Sequence, residues 1–96
     1  MLQYLILAYD GDDEEALNRR MAVRPSHFEM AKELKMHDRF VMGGAILDDG
    51  GLMIGSMMVV QFETEDDLLH WMKNEPYITG DVWQRIEVKP FRVAEV

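Results

Sequence analysis

Four apolar segments of strand length, separated by helical stretches, decide most of what this chain of 96 residues can fold into. Turn residues Asp48–Gly51 separate two of these segments as a hairpin would. The order of elements is βα(α)ββαβ, which is typical of the α+β split-βαβ or ferredoxin-like arrangement, a four-stranded antiparallel sheet with helices on one face. The length predicts one domain over residues 1–96. The predicted strands are residues 2–9, 40–47, 55–62 and 82–88.

Pro25 complicates the first helical stretch. Proline suits the first turn of a helix and disfavours helix in the residue before it. We therefore predict a short helix at about 14–21, a turn, and a second helix from Pro25 to about Met36. A single helix kinked at Pro25 is the alternative.

The second half of the chain carries clearer boundary signals. Thr64 is the expected N-cap of a helix that has Asp67 at its third position. Glu75-Pro76 ends this helix, and a short link leads to the last strand, which Pro90 is expected to stop.

A sheet with helices on one face leaves its other face uncovered. The first strand is nearly continuously apolar and is predicted to be buried on both faces. The third strand offers Met57 and Met58 to opposite faces, and the last strand Trp83 and Ile86. We therefore predict a homodimer in which two copies pack sheet on sheet.

Composition excludes several function classes. Eighteen acidic against ten basic residues give a net charge of −8 without a basic cluster, so neither nucleic acid nor an anionic membrane is an expected partner. No apolar run reaches membrane-spanning length, and the start of the chain lacks a signal peptide, which predicts a cytoplasmic protein. There is no cysteine, no metal-ligand spacing and no glycine-rich nucleotide loop, so no metal or cofactor is expected.

His27 is the leading candidate for chemistry. It shares a helical stripe with Met30, Ala31 and Leu34, at the border between apolar surface and solvent. An imidazole there can transfer protons near neutral pH. The structural alternative is a half-buried histidine that only satisfies its own hydrogen bonds.

Several short motifs, taken together, resemble the YciI-like (YCII-related) family over essentially the whole chain. No motif is specific alone, but their order and the chain length match. They are Tyr4 with Ala8, Val23-Arg24-Pro25-Ser26-His27, Gly43-Gly44, Gly55-Ser56, Glu75-Pro76-Tyr77 and Val88-Lys89-Pro90-Phe91.

The resemblance implies a dimeric α+β barrel whose cleft holds the signature histidine, here His27, opposite an acidic residue. The family usually has Asp where this chain has Glu75, and Asp38 and Asp49 remain alternative partners. Related barrels act without metal or organic cofactor on small hydroxylated aromatics or lactones. By analogy the chain is expected to be a lyase or isomerase that uses a His27–Glu75 pair for acid–base chemistry.

The resemblance also suggests which residues bind the small-molecule ligand. Arg24 would hold a carboxylate or phenolate, Ser56 and Tyr77 would supply hydrogen bonds, and Met58 and Trp83 would form an apolar wall. Independently of the resemblance, the missing side chains of Gly43 and Gly44 would let a ligand or a second chain approach the backbone closely. The rival hypotheses are a non-catalytic module that binds a small anion and an accessory module that only dimerises.

Overall fold

The computed structural model describes all 96 residues and contains four strands and three helices. The strands form one sheet in the order β2-β3-β1-β4, and every neighbouring pair is antiparallel. This confirms the α+β ferredoxin-like fold. In chain order the elements are β1 (Leu2–Asp10), α1 (Ala16–Met36), β2 (Phe40–Leu47), β3 (Met53–Phe62), α2 (Glu65–Asn74), α3 (Pro76–Thr79) and β4 (Trp83–Phe91).

The register of the central strands places the core between the sheet and the helices. Ile6 of β1 lies opposite Met58 on β3 and Val88 on β4, and Ala8 lies opposite Ser56. Because side chains alternate along a strand, these residues point to the helical side. Buried residues that fill this layer include Ile6, Ala8, Met58, Val60, Phe62, Leu68, Trp71, Tyr77, Val82 and Trp83.

Helix α1 continues without a break through Pro25, so the prediction of two helices is wrong. Arg20 and His27, on either side of the proline, are buried and bonded to other elements. These anchors hold both halves of the helix against the body of the protein, which outweighs the local penalty of proline. None of the three helices has the length and the apolar character that a membrane-spanning helix needs.

After residue 63 the structure confirms one predicted feature, the N-cap of α2, and corrects two others, the link before β4 and the end of β4. Thr64 accepts a hydrogen bond from the Asp67 amide, as expected of the N-cap of α2. The segment predicted as a link contains the short helix α3, which begins at Pro76. Pro90 does not stop the last strand, because β4 is an edge strand, where a residue without an N–H is tolerated.

The face of the sheet away from the helices is only partly apolar. Leu5, Leu7 and Met57 alternate with the core residues and are half-buried, so β1 is not buried on both faces in the single chain. The outer face of β4 carries charged residues such as Arg85 and Glu87, which corrects the prediction that this strand is apolar on both sides.

Candidate active site

A cleft of about 170 Å³ lies between α1, α3 and the β2–β3 half of the sheet. An engineered cavity of about 150 Å³ holds a benzene ring, so this cleft has room for one small ring. The structure brings His27 and all the predicted ligand-binding residues except Trp83 to it, although their spacing in the sequence reaches 53 positions. The predicted residues that line the cleft are Arg24, His27, Gly43, Gly44, Ser56, Met58 and Tyr77.

His27 and Glu75 form a buried pair. His27 Nδ1 contacts Glu75 Oε1, and Glu75 is completely buried. A carboxylate that accepts from Nδ1 fixes the imidazole tautomer, which leaves Nε2 as the nitrogen available to a ligand. The longer side chain of glutamate thus reaches the histidine from the start of α3. Asp38, after α1, and Asp49, in the β2–β3 turn, are not among the residues lining the cleft.

Aromatic rings and a helix start hold this pair in place. The His27 ring stacks on Tyr77 with 3.9 Å between centroids and 11° between planes, and it forms a T-shaped contact with Trp83, with centroids 5.9 Å apart and 72° between planes. Glu75 Oε1 also accepts the Tyr77 amide at 3.1 Å, so it caps the first turn of α3. The same carboxylate oxygen therefore orients both the histidine and the residue stacked on it.

Sequence reasoning missed a second buried ion pair beside the cleft. Arg20 Nη1 donates to Asp10 Oδ1 at 3.0 Å and to Oδ2 at 3.1 Å, and each side chain is 3% exposed. Burial raises the pKa of Asp10, while the positive charge of Arg20 and its hydrogen bonds pull it the other way. A signal was present: Asp10 continues the inward-facing alternation of Ile6 and Ala8.

This ion pair determines what Ser56 can do. Arg20 Nη2 donates to Ser56 Oγ at 2.8 Å, and Trp83 Nε1 donates to the same oxygen at 3.2 Å. A hydroxyl oxygen has two lone pairs and one proton. Since both lone pairs face donors, the Ser56 proton is left to donate, and Ser56 lines the cleft.

Tyr77 and Arg24 complete the polar lining. The Tyr77 hydroxyl is buried without a hydrogen-bond partner in the chain, and burial raises its pKa, against a smaller opposing effect of Arg20 and Arg24. The Arg24 guanidinium lies 4.4 Å from the centroid of the Phe28 ring. Both groups therefore have hydrogen-bonding capacity that the chain itself does not use.

The two glycines of β2 have different surroundings. A Cβ on Gly43 would lie 3.0 Å from the Met57 carbonyl, so the chain itself requires a small residue there. A Cβ on Gly44 would meet nothing within 4 Å. Gly44 pairs with Met57, so its missing side chain points to the open face of the sheet while its backbone borders the cleft.

The chain is similar to known proteins in both sequence and structure. The family model described as "YCII-related domain" matches residues 2–92. The protein YciI of Escherichia coli O6:H1 is 28% identical over 94 residues, covering 92% of this chain and 96% of the relative. An uncharacterized protein of Haemophilus influenzae is 31% identical over 97 residues, covering 95% and 97%.

One solved structure is similar along nearly the whole chain. It is 5-chloro-2-hydroxyhydroquinone dehydrochlorinase from Burkholderia phenoliruptrix, in complex with 2,5-dihydroxybenzoquinone. The TM-score is 0.80 at 21% identity, with 96% of this chain and 95% of the other covered. At that identity the likeness establishes a shared fold.

Proposed function

The chain belongs to the YCII-related domain family, and on that premise we propose that its cleft is the active site of a small enzyme that performs acid–base chemistry on a hydroxylated ring. The observation that carries the proposal is the buried His27–Glu75 pair at the edge of a cleft that also presents the Ser56 hydroxyl. A base and a hydrogen-bond donor that face one small space are the minimum needed to move a proton and stabilise the resulting anion.

His27 is the proposed general base. Its Nε2 takes a proton from a ring hydroxyl or from a C–H bond that the ring activates. Glu75 stabilises the imidazolium that forms, because its carboxylate already accepts from Nδ1. The imidazolium then returns the proton to another atom of the same molecule, which isomerises it, or the electron pair expels a leaving group, which is an elimination.

The negative charge that this step leaves on the ligand can be stabilised by Ser56 and Arg20. It develops on a ring oxygen that faces the Ser56 proton, with the Arg20 guanidinium directly behind Ser56. Donors fixed before the reaction stabilise a developing oxyanion without reorganisation. Asp10 holds Arg20 in place and keeps the end of the cleft close to neutral before the ligand binds.

The volume of the cleft and a similar solved structure both support a single hydroxylated ring as the ligand. The volume of about 170 Å³ suits one ring rather than a drug-sized molecule. The similar solved structure is a dehydrochlorinase of a hydroxylated, chlorinated ring and holds a dihydroxylated quinone. Hydroxylated aromatics and lactones are therefore the ligand classes to test first.

Proton abstraction is best measured directly. We expect wild-type protein in D₂O to exchange ring or α-carbon protons of a bound hydroxylated aromatic or lactone, followed by NMR. His27→Ala is expected to lower the exchange rate by about 10²- to 10⁴-fold, the usual contribution of a general base. His70→Ala, which removes an exposed histidine on α2, is the matched control and is expected to retain activity.

Each other result has a clear meaning. Exchange that survives in His27→Ala would refute the role of His27. Ligand binding without exchange in the wild type would favour the small-anion-binding module. Neither binding nor exchange with any member of the two classes would favour the accessory dimerisation module.

We also propose that the protein is a homodimer whose copies pack through the open face of the sheet. Leu5, Leu7 and Met57 lie on that face, and Met42 beside them is 53% exposed. Burying such a surface against a second copy is favourable by about 25 cal/mol per Å². Light scattering at micromolar concentration is expected to give twice the chain mass, and a monomer would refute the proposal.

A further inference from the structure

We infer that the ligand of the cleft carries a carboxylate, and that Arg24 is the residue that selects for it. The inference rests on the proposed function, since it names the class of ring that enters the same cleft. It goes further because it requires two separate oxygen-bearing ends on one ligand: a ring hydroxyl at Ser56, whose oxygen becomes anionic in the reaction, and a carboxylate at Arg24.

Arg24 has no ion-pair partner within the chain. Five ion pairs form in the chain, and none includes Arg24. Its side chain is half-buried and lies against Phe28, 4.4 Å from the ring centroid. Stacking on an aromatic face holds the plane of a guanidinium while leaving its N–H groups at the edge free. Arg24 is thus oriented for a planar, two-oxygen partner that the chain does not supply.

Arg20 and Arg24 differ in whether the chain supplies a carboxylate partner. Both arginines line the cleft, one helical turn apart on α1. Arg20 has a buried carboxylate partner in Asp10, whereas Arg24 has none. The cleft lining contains two arginines and a histidine but no aspartate or glutamate, in a chain of net charge −8. Because Asp10 balances Arg20 and Glu75 pairs with His27, Arg24 is the one cation of the cleft whose charge the chain leaves unbalanced, and it can attract an anion.

The two arginines that serve the two ends lie one helical turn apart. Arg20, which donates to Ser56, and Arg24 are four residues apart on α1, a rise of roughly 6 Å, which is comparable to the span between substituents on opposite sides of a six-membered ring. Arg24 also borders an outer depression with Met21 and Pro25, so it stands at the mouth of the cleft, while Ser56 is buried. The hydroxyl end of the ring would enter first, and the carboxylate would stay at the mouth.

The test compares ligands that differ in charge alone. Dissociation constants of 3- and 4-hydroxybenzoate are measured by calorimetry beside those of the matching hydroxybenzamides, which keep the ring, the hydroxyl and the shape. The wild type is expected to bind at least one benzoate tenfold or more tightly than its amide, because a bidentate arginine–carboxylate contact is a strong charge-assisted pair. Arg24→Met is expected to bring this ratio close to one.

Two further variants control for charge in general. Lys35→Met removes the same charge from an exposed position of α1 outside the cleft and is expected to keep the wild-type ratio. Arg24→Lys is expected to keep part of it, since a lysine contacts a carboxylate as a point charge.

The possible failures separate this inference from the proposed function. A ratio near one in the wild type, or a full ratio retained in Arg24→Met, overturns the role of Arg24. Proton exchange on neutral hydroxylated rings with no binding of any benzoate overturns the carboxylate while the proposed function stands. Absence of both binding and exchange overturns both.

Discussion

The buried Asp10–Arg20 pair gives the sharpest test of how the site is built. Arg20→Met keeps the length of the side chain but leaves the Asp10 carboxylate, whose side chain is 3% exposed, without its partner. Breaking a buried pair in this way costs about 3–5 kcal/mol. A domain of this size is stable by about 5–14 kcal/mol, so the variant is expected to lose a large part of its stability. For such a chain the loss corresponds to a melting temperature lower by at least about 12 °C.

The pH dependence identifies the cause of that loss. Burial already raises the pKa of Asp10 in the folded chain, and removing Arg20 takes away a group that lowers it. The folded variant therefore binds a proton more readily than the unfolded chain, so its stability relative to the wild type improves as pH falls and worsens as pH rises. Urea titrations followed by circular dichroism at pH 5 and pH 8 are expected to show the smaller deficit at pH 5.

Two companion variants test whether the expected loss of stability comes from the buried, unpaired Asp10 carboxylate. Arg19→Met breaks the neighbouring Arg19–Asp13 pair, in which the side chains are 29% and 50% exposed, and is expected to cost far less stability than Arg20→Met because solvent screens the pair. Asp10→Asn combined with Arg20→Met removes the unpaired charge and is expected to recover at least about 1 kcal/mol relative to Arg20→Met. Equal losses in Arg19→Met and Arg20→Met, or a double variant no more stable than Arg20→Met, would show that the pair does not act as argued.

Three other variants test separate parts of the structure. Tyr77→Phe removes a buried hydroxyl without a partner, so the free energy of unfolding at pH 7 is expected to be unchanged or up to about 1 kcal/mol higher. Because the pKa of Tyr77 is raised in the folded chain, the wild type loses stability above pH 10, so the melting temperatures at pH 8 and pH 11 should differ less in the variant. An equal difference in the two proteins would contradict this. The Cβ added by Gly44→Ala would meet nothing within 4 Å in the single chain, so the variant is expected to keep its stability. The same Cβ points to the open face of the sheet, so it is expected to weaken the proposed dimer in dilution experiments. An unchanged dimer would place Gly44 outside the interface. Pro25→Ala restores a helical N–H and is expected to stabilise the chain by about 2 kcal/mol in chemical denaturation; a loss of stability would mean that the proline is required.

Much of the fold follows from sequence patterns, for reasons visible in particular residues. The hairpin turn after Leu47 and the cap at Thr64 are local signals, and the structure retains both. The extension of β4 through Pro90 could not be predicted from the neighbouring residues. A proline is tolerated there because β4 is an edge strand, and this follows only from the order of strands in the sheet. The sequence pattern did not predict the charged outer face of β4, because the register shift at Tyr9 and Asp10 changes which residues of β4 point outward.

The unbroken helix explains why the pattern analysis found half of the site and missed the other half. Arg20, Arg24, His27 and Ala31 stand at i, i+4, i+7 and i+11, which is one face of a continuous helix, and all four line the cleft. A break at Pro25 removes Arg20 from the phase of His27, so a buried cation appears to be a surface residue. The local rule for proline failed because Arg20 bonds to β1 and β3, while His27 bonds to the residue that begins α3. The contacts that overrule the proline are the same contacts that assemble the proposed active site.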